Sequence, residues 1–189
     1  GAVMLRVAVY CGASPRVDAK YLNAAHAFGE MLAKAGVGVV YGGCKTGLMG
    51  AVADGALDAG GDVIGVLPDV LNNNPYGVEP AHPGLTQLLR VPDMHTRKAV
   101  MTASADAFVA LPGGYGTLDE LFEALTWRMI GTHQKPIGLF DVDGYWTHLT
   151  AFIDHATDEK LVSENARAFF FVDDDAKRLL AKLLPSHSR

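Results

Sequence analysis

The sequence predicts an α/β fold in which a doubly wound, mostly parallel sheet of about seven strands carries helices on both faces. Three observations lead to this prediction. Short apolar runs alternate with longer helical patterns along the chain, as in βαβ units. The apolar runs lack strict alternation with polar residues, which is typical of strands covered on both faces. Glycine-rich turns join several of these runs to the following helical pattern, so the predicted arrangement is Rossmann-like.

The strands are predicted from runs rich in valine, leucine and phenylalanine. They cover residues 5–10, 37–41, 62–67, 87–91, 107–111, 136–140 and 169–172. Helices are predicted where apolar residues recur at helical spacing. These apolar stripes are Leu22, Ala25, Phe28 and Leu32, with Gly36 as the stop; Leu118, Leu121, Phe122, Leu125 and Met129; and Ala176, Leu179, Leu180 and Leu183.

Composition indicates one globular domain over residues 1–189. Hydrophobic residues make up 49% and charged residues 20%, which is ordinary for such a domain. Neither a membrane span nor a signal peptide is expected, because the apolar runs are short. Cys11 and Cys44 are too few for a disulfide framework and suit a reducing compartment, so we expect a cytoplasmic protein. Residues 68–84 contain four prolines and are predicted to form a functional loop over the sheet.

The charge balance points to a small ligand. The net charge is −5, and lysine and arginine form no basic run, which argues against a nucleic-acid partner. The seven histidines are scattered without an HxxxH or CxxC pair, so no zinc site is expected. We expect neither a metal nor an organic cofactor, and no membrane partner.

The strongest motif is Leu-Pro-Gly-Gly-Tyr-Gly-Thr at residues 111–117, between a predicted strand and a predicted helix. Its three glycines let the backbone approach a ligand closely, and several N–H groups then converge. The helix dipole adds roughly half a positive charge at this end. Phosphate fits such a site. We therefore predict phosphate binding at residues 112–117, the alternative being a tight turn that is merely rich in glycine.

Two more glycine turns follow strands. Residues 41–50 do not form a P-loop, because the lysine is misplaced relative to the glycines. Gly47 and Gly50 either contact the ligand or only let a helix pack close to the sheet. Cys44 is predicted to be a small loop residue rather than a nucleophile. Ser14, after the first strand, has two equal interpretations, a ligand contact or a turn residue.

Arg97 belongs to a predicted helix at residues 93–101. It shares a face with Met94 and Met101, so its side chain is expected to point where apolar residues point. A buried guanidinium needs an anionic partner. That partner is either a structural carboxylate or a phosphate and carboxylate at an active site.

Glu120 also has two interpretations. Residues 117–120 fit the capping box S/T-x-x-E, which makes Glu120 a structural residue. However, Glu120 also lies one turn from the predicted phosphate loop, a distance that suits a group acting on the ribose of a bound nucleotide. The residues alone leave both interpretations open.

Pro-Gly-Gly-Tyr-Gly-Thr-Leu-Asp-Glu at residues 112–120 matches the PGGxGTxxE motif. The chain therefore resembles the LONELY GUY family, whose members are cytokinin riboside 5′-monophosphate phosphoribohydrolases. Residues 94–98 and 41–50 match the family's two other motifs in order and spacing, and residues 143–146 resemble its stretch after the sixth strand. The family hydrolyses the N-glycosidic bond of N6-modified AMP, releasing the free base and ribose 5-phosphate.

This resemblance implies roles for particular residues. Arg97 and Glu120 form the implied catalytic pair: Glu120 stabilises charge at C1′ and acts on water, and Arg97 clamps substrate oxygens or holds Glu120 ionised. The implied nucleotide site comprises Glu79, Met94, Arg97, Lys98, Gly113, Gly114, Tyr115, Gly116, Thr117, Leu118, Asp119, Glu120 and Thr126. Three residues depart from the family pattern and bear on substrate preference: Cys44 replaces a glycine, Ala13 a serine and Asp119 a glutamate.

Two other functions remain open. One is general hydrolysis of AMP and other purine nucleoside monophosphates. The other is a non-catalytic carrier similar to molybdenum-cofactor carriers, which the presence of both Arg97 and Glu120 disfavours. Related sequences have been labelled lysine decarboxylases, but no lysine here lies in a recognisable pyridoxal phosphate context.

The helix at residues 118–130 bears on the oligomeric state. It is apolar on more than one side, which burial on a single face does not require. Together with the resemblance, this predicts a homodimer built partly on that helix, whose site borrows residues from the partner.

Overall fold

Seven parallel strands form the centre of the molecule. In this computed structural model, which describes residues 3–72 and 79–185, they are β1 (Arg6–Tyr10), β2 (Gly38–Tyr41), β3 (Val63–Pro68), β4 (Gln87–Val91), β5 (Ala107–Ala110), β6 (Ile137–Phe140) and β7 (Phe170–Asp173). The order across the sheet is β4-β3-β2-β1-β5-β6-β7, and all neighbours are parallel. All seven predicted strands are confirmed, and no end differs by more than one residue.

Helices cover both faces of the sheet. They are α1 (Ala19–Lys34), α2 (Gly47–Asp58), α3 (Asp69–Asn72), α4 (Met94–Ser104), α5 (Tyr115–Met129), α6 (Thr147–Asp158), α7 (Glu164–Arg167) and α8 (Ala176–Leu183). The apolar stripes of α1, α2 and α8 pack on one face, and those of α4, α5 and α6 pack on the other. The doubly wound, Rossmann-like fold class is therefore confirmed. None of the helices in the described ranges has the length and apolar character needed to cross a membrane.

Residues 68–84 are only partly described. They begin with α3, residues 73–78 lie outside the described residues, and the chain returns at Glu79. The returning part lies against the turn after β2: Lys45 donates its N–H to the Pro80 carbonyl, and His82 donates to the Gly43 carbonyl, both at 2.8 Å. These bonds bring Glu79 to the carboxyl edge of the sheet.

Candidate active site

Three loops meet at the carboxyl ends of the central strands. Gly12, after β1, donates its N–H to the Pro112 carbonyl at 3.0 Å and accepts the N–H of Met49 at 3.2 Å. It therefore joins the turn after β5 to the start of α2. Because the strand order reverses between β1 and β5, the crevice at this edge is where open α/β sheets bind ligands.

The glycine turn after β5 leads directly into α5. The helix begins at Tyr115 with Gly114 as its N-cap, and Leu118 donates its N–H to the Gly114 carbonyl at 3.0 Å. The predicted capping box is therefore wrong, because Thr117 lies inside the first turn and Glu120 lies too far along the helix to reach back to the cap. A glycine cap supplies no side-chain oxygen, so the N–H groups of the first turn are left without an acceptor from the cap or the helix.

The three glycines of this turn have different explanations. A Cβ on Gly113 would overlap the Thr117 hydroxyl, whereas a Cβ on Gly114 or Gly116 would meet no described atom within 4 Å. Glycine lowers helix stability by up to about 1 kcal/mol relative to alanine, so Gly116 makes α5 less stable than an alanine at this position would. The buried Thr117 hydroxyl has no hydrogen-bond partner among the described residues. Open space, free N–H groups and an unpaired hydroxyl at a helix start are typical of an anion site.

Arg97 is buried, with 2% of its surface exposed, as its place on the face of Met101 predicts. One terminal nitrogen donates to the Gly42 carbonyl at 2.8 Å and to the Glu79 carboxylate at 2.9 Å. A Cβ on Gly42 would overlap the guanidinium, so this glycine makes the room that Arg97 occupies. The buried Nε has no acceptor within the described residues. Glu79 is thus the anionic partner that the sequence required.

Met94 and Lys98 flank Arg97 on α4. The Met94 sulfur lies 3.9 Å from a terminal nitrogen of Arg97. Lys98 pairs with Asp119 at 3.2 Å and with Glu123 at 2.6 Å, and these pairs tie α4 to α5. The burial of Lys98 against α5 was not predicted from the sequence, although Asp119 and Glu123 lie one turn apart on the same helix.

Glu120 is half-buried on α5, and its carboxylate has no hydrogen bond or ion pair with the residues that the structure describes. Burial raises the pKa of Glu120 to about 8, while Arg97 lowers it by less. Nearby Glu79 and Asp119 add to the increase. Desolvation outweighs the guanidinium, so Arg97 offsets only part of this increase in the pKa of Glu120. A carboxyl with such a pKa exchanges its proton close to neutral pH.

The remaining residues of the PGGxGTxxE motif point in different directions. Tyr115 is 94% exposed at the helix start. Leu118 packs partly buried against the core on the α5 side of the sheet. The structure therefore pairs Glu79 with Arg97 and places Glu120 near enough to both for their charges to shift its pKa. Leu118 packs instead against the core beneath α5.

Thr126 lies apart from these residues. It follows Thr117 by nine positions, which is about 13 Å along a helix axis. It is exposed and lines a groove of about 260 Å³ with Phe122, Leu125, Met129, Ile153, Leu161, Val162, Ala166, Phe169 and Phe170. Within one chain, the structure does not bring Thr126 to the other predicted site residues.

The turn after β2 is explained largely by packing. Gly47 has φ +61°, and a Cβ there would lie 2.5 Å from the Ala13 carbonyl carbon. A Cβ on Gly50 would overlap the Lys45 carbonyl. The packing interpretation accounts for both glycines, and the contribution of this turn to the crevice comes from Gly42 instead. Cys44 is fully buried, as expected of a small loop residue.

The turn after β1 contributes little reactive chemistry. The Ser14 hydroxyl accepts the N–H of Arg16 at 3.3 Å, which favours the turn interpretation of this serine. Burial raises the pKa of the Cys11 thiol well above its ordinary value, so this cysteine stays protonated. Within the described ranges, no group of three or more histidine, cysteine, aspartate or glutamate residues has an arrangement suited to a metal ion.

Sequence comparison identifies the family. A family model described as "Possible lysine decarboxylase" matches residues 49–183. Cytokinin riboside 5′-monophosphate phosphoribohydrolase LOG4 of Arabidopsis thaliana is 44% identical over 178 residues, which cover 94% of this chain and 81% of that protein. The chain belongs to the LONELY GUY family.

Other LONELY GUY proteins match equally well. The cytokinin riboside 5′-monophosphate phosphoribohydrolase of Rhodococcoides fascians is 43% identical, with 94% of this chain and 88% of that protein covered.

Among solved structures, the structural-genomics target TM1055 has a TM-score of 0.73 at 25% identity, covering 97% of this chain and 99% of that one. The molybdenum cofactor binding protein of Rippkaea orientalis has a TM-score of 0.70 at 22% identity over 98% of both chains, and that likeness shows a shared fold alone.

Proposed function

We propose that this LONELY GUY protein hydrolyses the N-glycosidic bond of cytokinin riboside 5′-monophosphates, releasing the N6-modified adenine and ribose 5-phosphate. The proposal rests on Glu120, a half-buried carboxylate without a hydrogen-bonding or ion-pairing partner among the described residues. It follows a helix start at which a Cβ on Gly114 or Gly116 would meet no described atom within 4 Å. The names of relatives at 42–44% identity support the same reaction.

The 5′-phosphate binds at the start of α5. The N–H groups of Tyr115, Gly116 and Thr117 and the unpaired Thr117 hydroxyl supply donors, and the helix dipole adds a favourable field. The missing Cβ atoms of Gly114 and Gly116 leave the space that phosphate oxygens occupy. Binding energy from this non-reacting end of the substrate then holds the ribose in position for the reaction.

The reaction breaks the C1′–N9 bond, and its electron pair leaves with the base. Positive charge develops at C1′ and the ring oxygen. The ionised Glu120 carboxylate stabilises that charge and accepts a proton from the attacking water, whose oxygen bonds to C1′. The leaving base takes up a proton, so one water is consumed and the atoms balance. No metal or organic cofactor takes part in this mechanism.

Arg97 positions the reacting groups. Its buried Nε, which lacks an acceptor among the described residues, donates to a ribose or phosphate oxygen when substrate binds, whereas one terminal nitrogen is held by Gly42 and Glu79. Because the guanidinium is rigid and planar, its contacts with Gly42 and Glu79 also fix the direction in which it donates to the substrate. Lys98, with its charge balanced by Asp119 and Glu123, keeps α4 and α5 at a constant distance.

We also propose that two copies of the chain pair through the groove around Thr126. Met129 and Ile130, near the end of α5, are 61% and 63% exposed, and exposed apolar surface of this kind marks interaction sites. A second copy accounts for the resemblance-implied role of Thr126, since this residue then serves the partner's nucleotide. The two free, buried thiols, Cys11 and Cys44, support a reducing compartment such as the cytoplasm.

Base release from four compounds tests the reaction: isopentenyl-AMP, AMP, isopentenyladenosine and adenosine. The two monophosphates isolate the effect of the N6 group, and the two nucleosides isolate the effect of the phosphate. We expect the highest kcat/KM with isopentenyl-AMP, and at least about a hundredfold less with either nucleoside, because the nucleosides lack the phosphate contacts. Equal rates on AMP and isopentenyl-AMP indicate a general purine monophosphate hydrolase. Nucleotide binding without base release indicates a carrier.

Subunit mixing tests the shared site. Glu120→Gln and Thr126→Ala subunits are each expected to be inactive as homodimers. If Thr126 acts on the partner's nucleotide, a mixed dimer regains one complete site, so about a quarter of wild-type activity returns after random exchange. Mixing does not restore activity if both residues act within one chain.

Light scattering checks the oligomeric state. Met129→Lys is the variant expected to disrupt the dimer, and Val70→Lys, at an exposed position beyond β3, is the control.

A further inference from the structure

Tyr145 makes a hydrogen bond to the glycine turn from a different part of the chain. Its hydroxyl donates to the carbonyl oxygen of Gly113 at 2.5 Å. Tyr145 follows β6, whereas Gly113 follows β5, so the bond crosses between neighbouring strand ends. On its other side, the turn is held by the bond from Gly12 N–H to the Pro112 carbonyl at 3.0 Å. Two consecutive carbonyls of the turn are thus held by residues outside it.

The geometry of the peptide bond gives this contact a consequence for ligand binding. The carbonyl of Gly113 and the N–H of Gly114 belong to one planar trans peptide and point in opposite directions. Holding the carbonyl therefore sets the direction of the N–H. A peptide between two glycines rotates easily, because neither residue has a Cβ to restrict it. A Cβ on Gly114 would also meet no described atom within 4 Å, whereas Gly113 packs against Thr117, so it is the Gly114 side of the peptide that packing leaves unrestrained.

Several contacts place Tyr145 itself. Asp143 has φ +51°, a conformation that is uncommon outside glycine, and its carboxylate pairs with Lys20 of α1 at 2.7 Å. Asp141 accepts the N–H of Trp146 at 2.9 Å. The Tyr145 ring lies edge-on to Tyr21 at 5.8 Å and to Trp146 at 4.9 Å between centroids.

The hydroxyl of Tyr145 is not needed for this packing. The ring makes both aromatic contacts, and a phenylalanine would keep them. Tyr145 remains 39% exposed, so burial does not demand a hydrogen bond there. Among the residues that the structure describes, the hydrogen-bond partner of this hydroxyl is Gly113.

We infer that Tyr145 is a positioning residue for phosphate recognition: its hydroxyl holds the Gly113–Gly114 peptide so that the Gly114 N–H joins the donors at the start of α5. The inference rests on the proposed function for the identity of the anion, a sugar 5′-phosphate. Tyr145 itself makes no contact with the reacting atoms.

The test is Tyr145→Phe, with Tyr21→Phe as the matched control. Both variants lose one hydroxyl from the same aromatic cluster, and only Tyr145 bonds to the turn. Calorimetry on the full chain measures affinity for ribose 5-phosphate and for adenosine. We expect Tyr145→Phe to weaken ribose 5-phosphate binding about three- to tenfold, the size of one hydrogen bond. Adenosine binding and the melting temperature stay near wild type, and Tyr21→Phe binds normally.

Kinetics give a second readout. KM for the nucleoside monophosphate rises by the same factor as the ribose 5-phosphate Kd, and kcat stays within about twofold, because only binding has changed. Lys20→Met releases Asp143 and also removes the ammonium that lies 5.0 Å from the centroid of the Tyr21 ring. It weakens ribose 5-phosphate binding in the same direction as Tyr145→Phe but by less, and the Tyr21→Phe control shows how much of that loss comes from the Tyr21 ring. Lys20→Met keeps the test decisive if Tyr145→Phe folds poorly.

Three results overturn the inference: unchanged ribose 5-phosphate affinity in Tyr145→Phe, an equal loss in Tyr21→Phe, or an equal loss for adenosine. A lower melting temperature with unchanged affinity assigns Tyr145 a structural role only. Failure of the proposed reaction gives a different result, because base release is then absent from the wild type while the calorimetric difference between the two tyrosine variants persists.

Discussion

The two longer glycine turns of this protein look alike in sequence and differ in structure. Both follow a buried strand and lead into a helix. In the turn after β2, protein atoms crowd Gly42, Gly47 and Gly50, so an added Cβ would collide at each. In the turn after β5, Gly114 and Gly116 face space that no described atom fills within 4 Å. Glycines that the chain's own packing does not explain are the ones that leave room for a ligand.

The two charged groups beside these turns, Arg97 and Glu120, differ in whether protein atoms hold them. Arg97 fills the room left by Gly42 and is held by protein partners. Glu120, behind the open turn, has no such partner in the described ranges. One turn thus supports a fixed cation, and the other lies beside a carboxylate that is free to react.

The largest expected effect comes from removing that carboxylate. Glu120→Gln keeps the shape of the side chain but removes its negative charge. Because Glu120 is not a capping residue, helix stability gives no reason for a loss. Turnover should fall by about a hundredfold or more while nucleotide binding persists. Glu123→Gln, one turn further along α5, is the control and should cost far less.

A Glu120→Gln enzyme that keeps more than about half of normal turnover would contradict the mechanism. Arg97→Ala should give a loss comparable to that of Glu120→Gln. Arg97→Lys should restore little, because an ammonium cannot replace the planar set of donors that reaches Gly42, Glu79 and the substrate. The kcat and KM of each variant separate loss of chemistry from loss of binding.

A pair of glycine substitutions tests the comparison itself. Gly116→Ala adds a methyl group to open space in a helix, so the free energy of unfolding should rise by up to about 1 kcal/mol. The same methyl group takes space beside the phosphate, so KM should rise about tenfold, as one lost charged hydrogen bond predicts. Gly50→Ala should do the opposite. Its Cβ overlaps the Lys45 carbonyl, so the protein loses about 1–3 kcal/mol of stability while KM changes little.

The comparison fails if Gly116→Ala binds nucleotide as well as the wild type, or if Gly50→Ala impairs binding without loss of stability. Urea unfolding gives the free energy of unfolding of each variant, and steady-state kinetics give its KM. Gly50 is the suitable partner because it also lies in the first turn of its helix, α2.

The last prediction is a pH dependence of stability. The pKa of Glu120 is about 8 in the folded protein and has an ordinary value of 4.5. Between these values the folded state keeps a proton that the unfolded state releases, so stability falls as pH rises. Glu120→Gln removes this dependence. Its melting temperature should therefore exceed that of the wild type by an amount that grows from pH 5 to pH 8 and then levels off.

Asp173→Asn is the control of opposite sign for this measurement. Arg178 and Lys182 hold the pKa of Asp173 well below its ordinary value. Loss of this carboxylate should lower the melting temperature throughout the range from pH 5 to pH 9. Activity gives a further check, since kcat/KM should rise with pH up to about 8 if the ionised Glu120 is the active form. A melting-temperature difference between Glu120→Gln and the wild type that does not vary with pH would mean that Glu120 is not desolvated.

Local sequence determined most of the fold. Buried parallel strands are continuous apolar runs, and glycine or polar residues bound them, so their positions can be predicted to within one residue. The apolar stripes of α1, α5 and α8 were predicted for the same reason. The burial of Arg97 and its need for an anion also follow from helical spacing and the cost of an unpaired charge.

Only the tertiary structure decided which residues meet. Glu79 reaches Arg97, and Tyr145 reaches Gly113, because the strand order β4-β3-β2-β1-β5-β6-β7 brings together segments distant in sequence. The start of α5 was also decided in this way. The local pattern favoured a threonine cap, but Gly113 packs against the Thr117 side chain, and this contact places Thr117 within the first turn. Spacing along a chain predicts periodic burial, whereas contacts between strand ends depend on how the whole sheet is assembled.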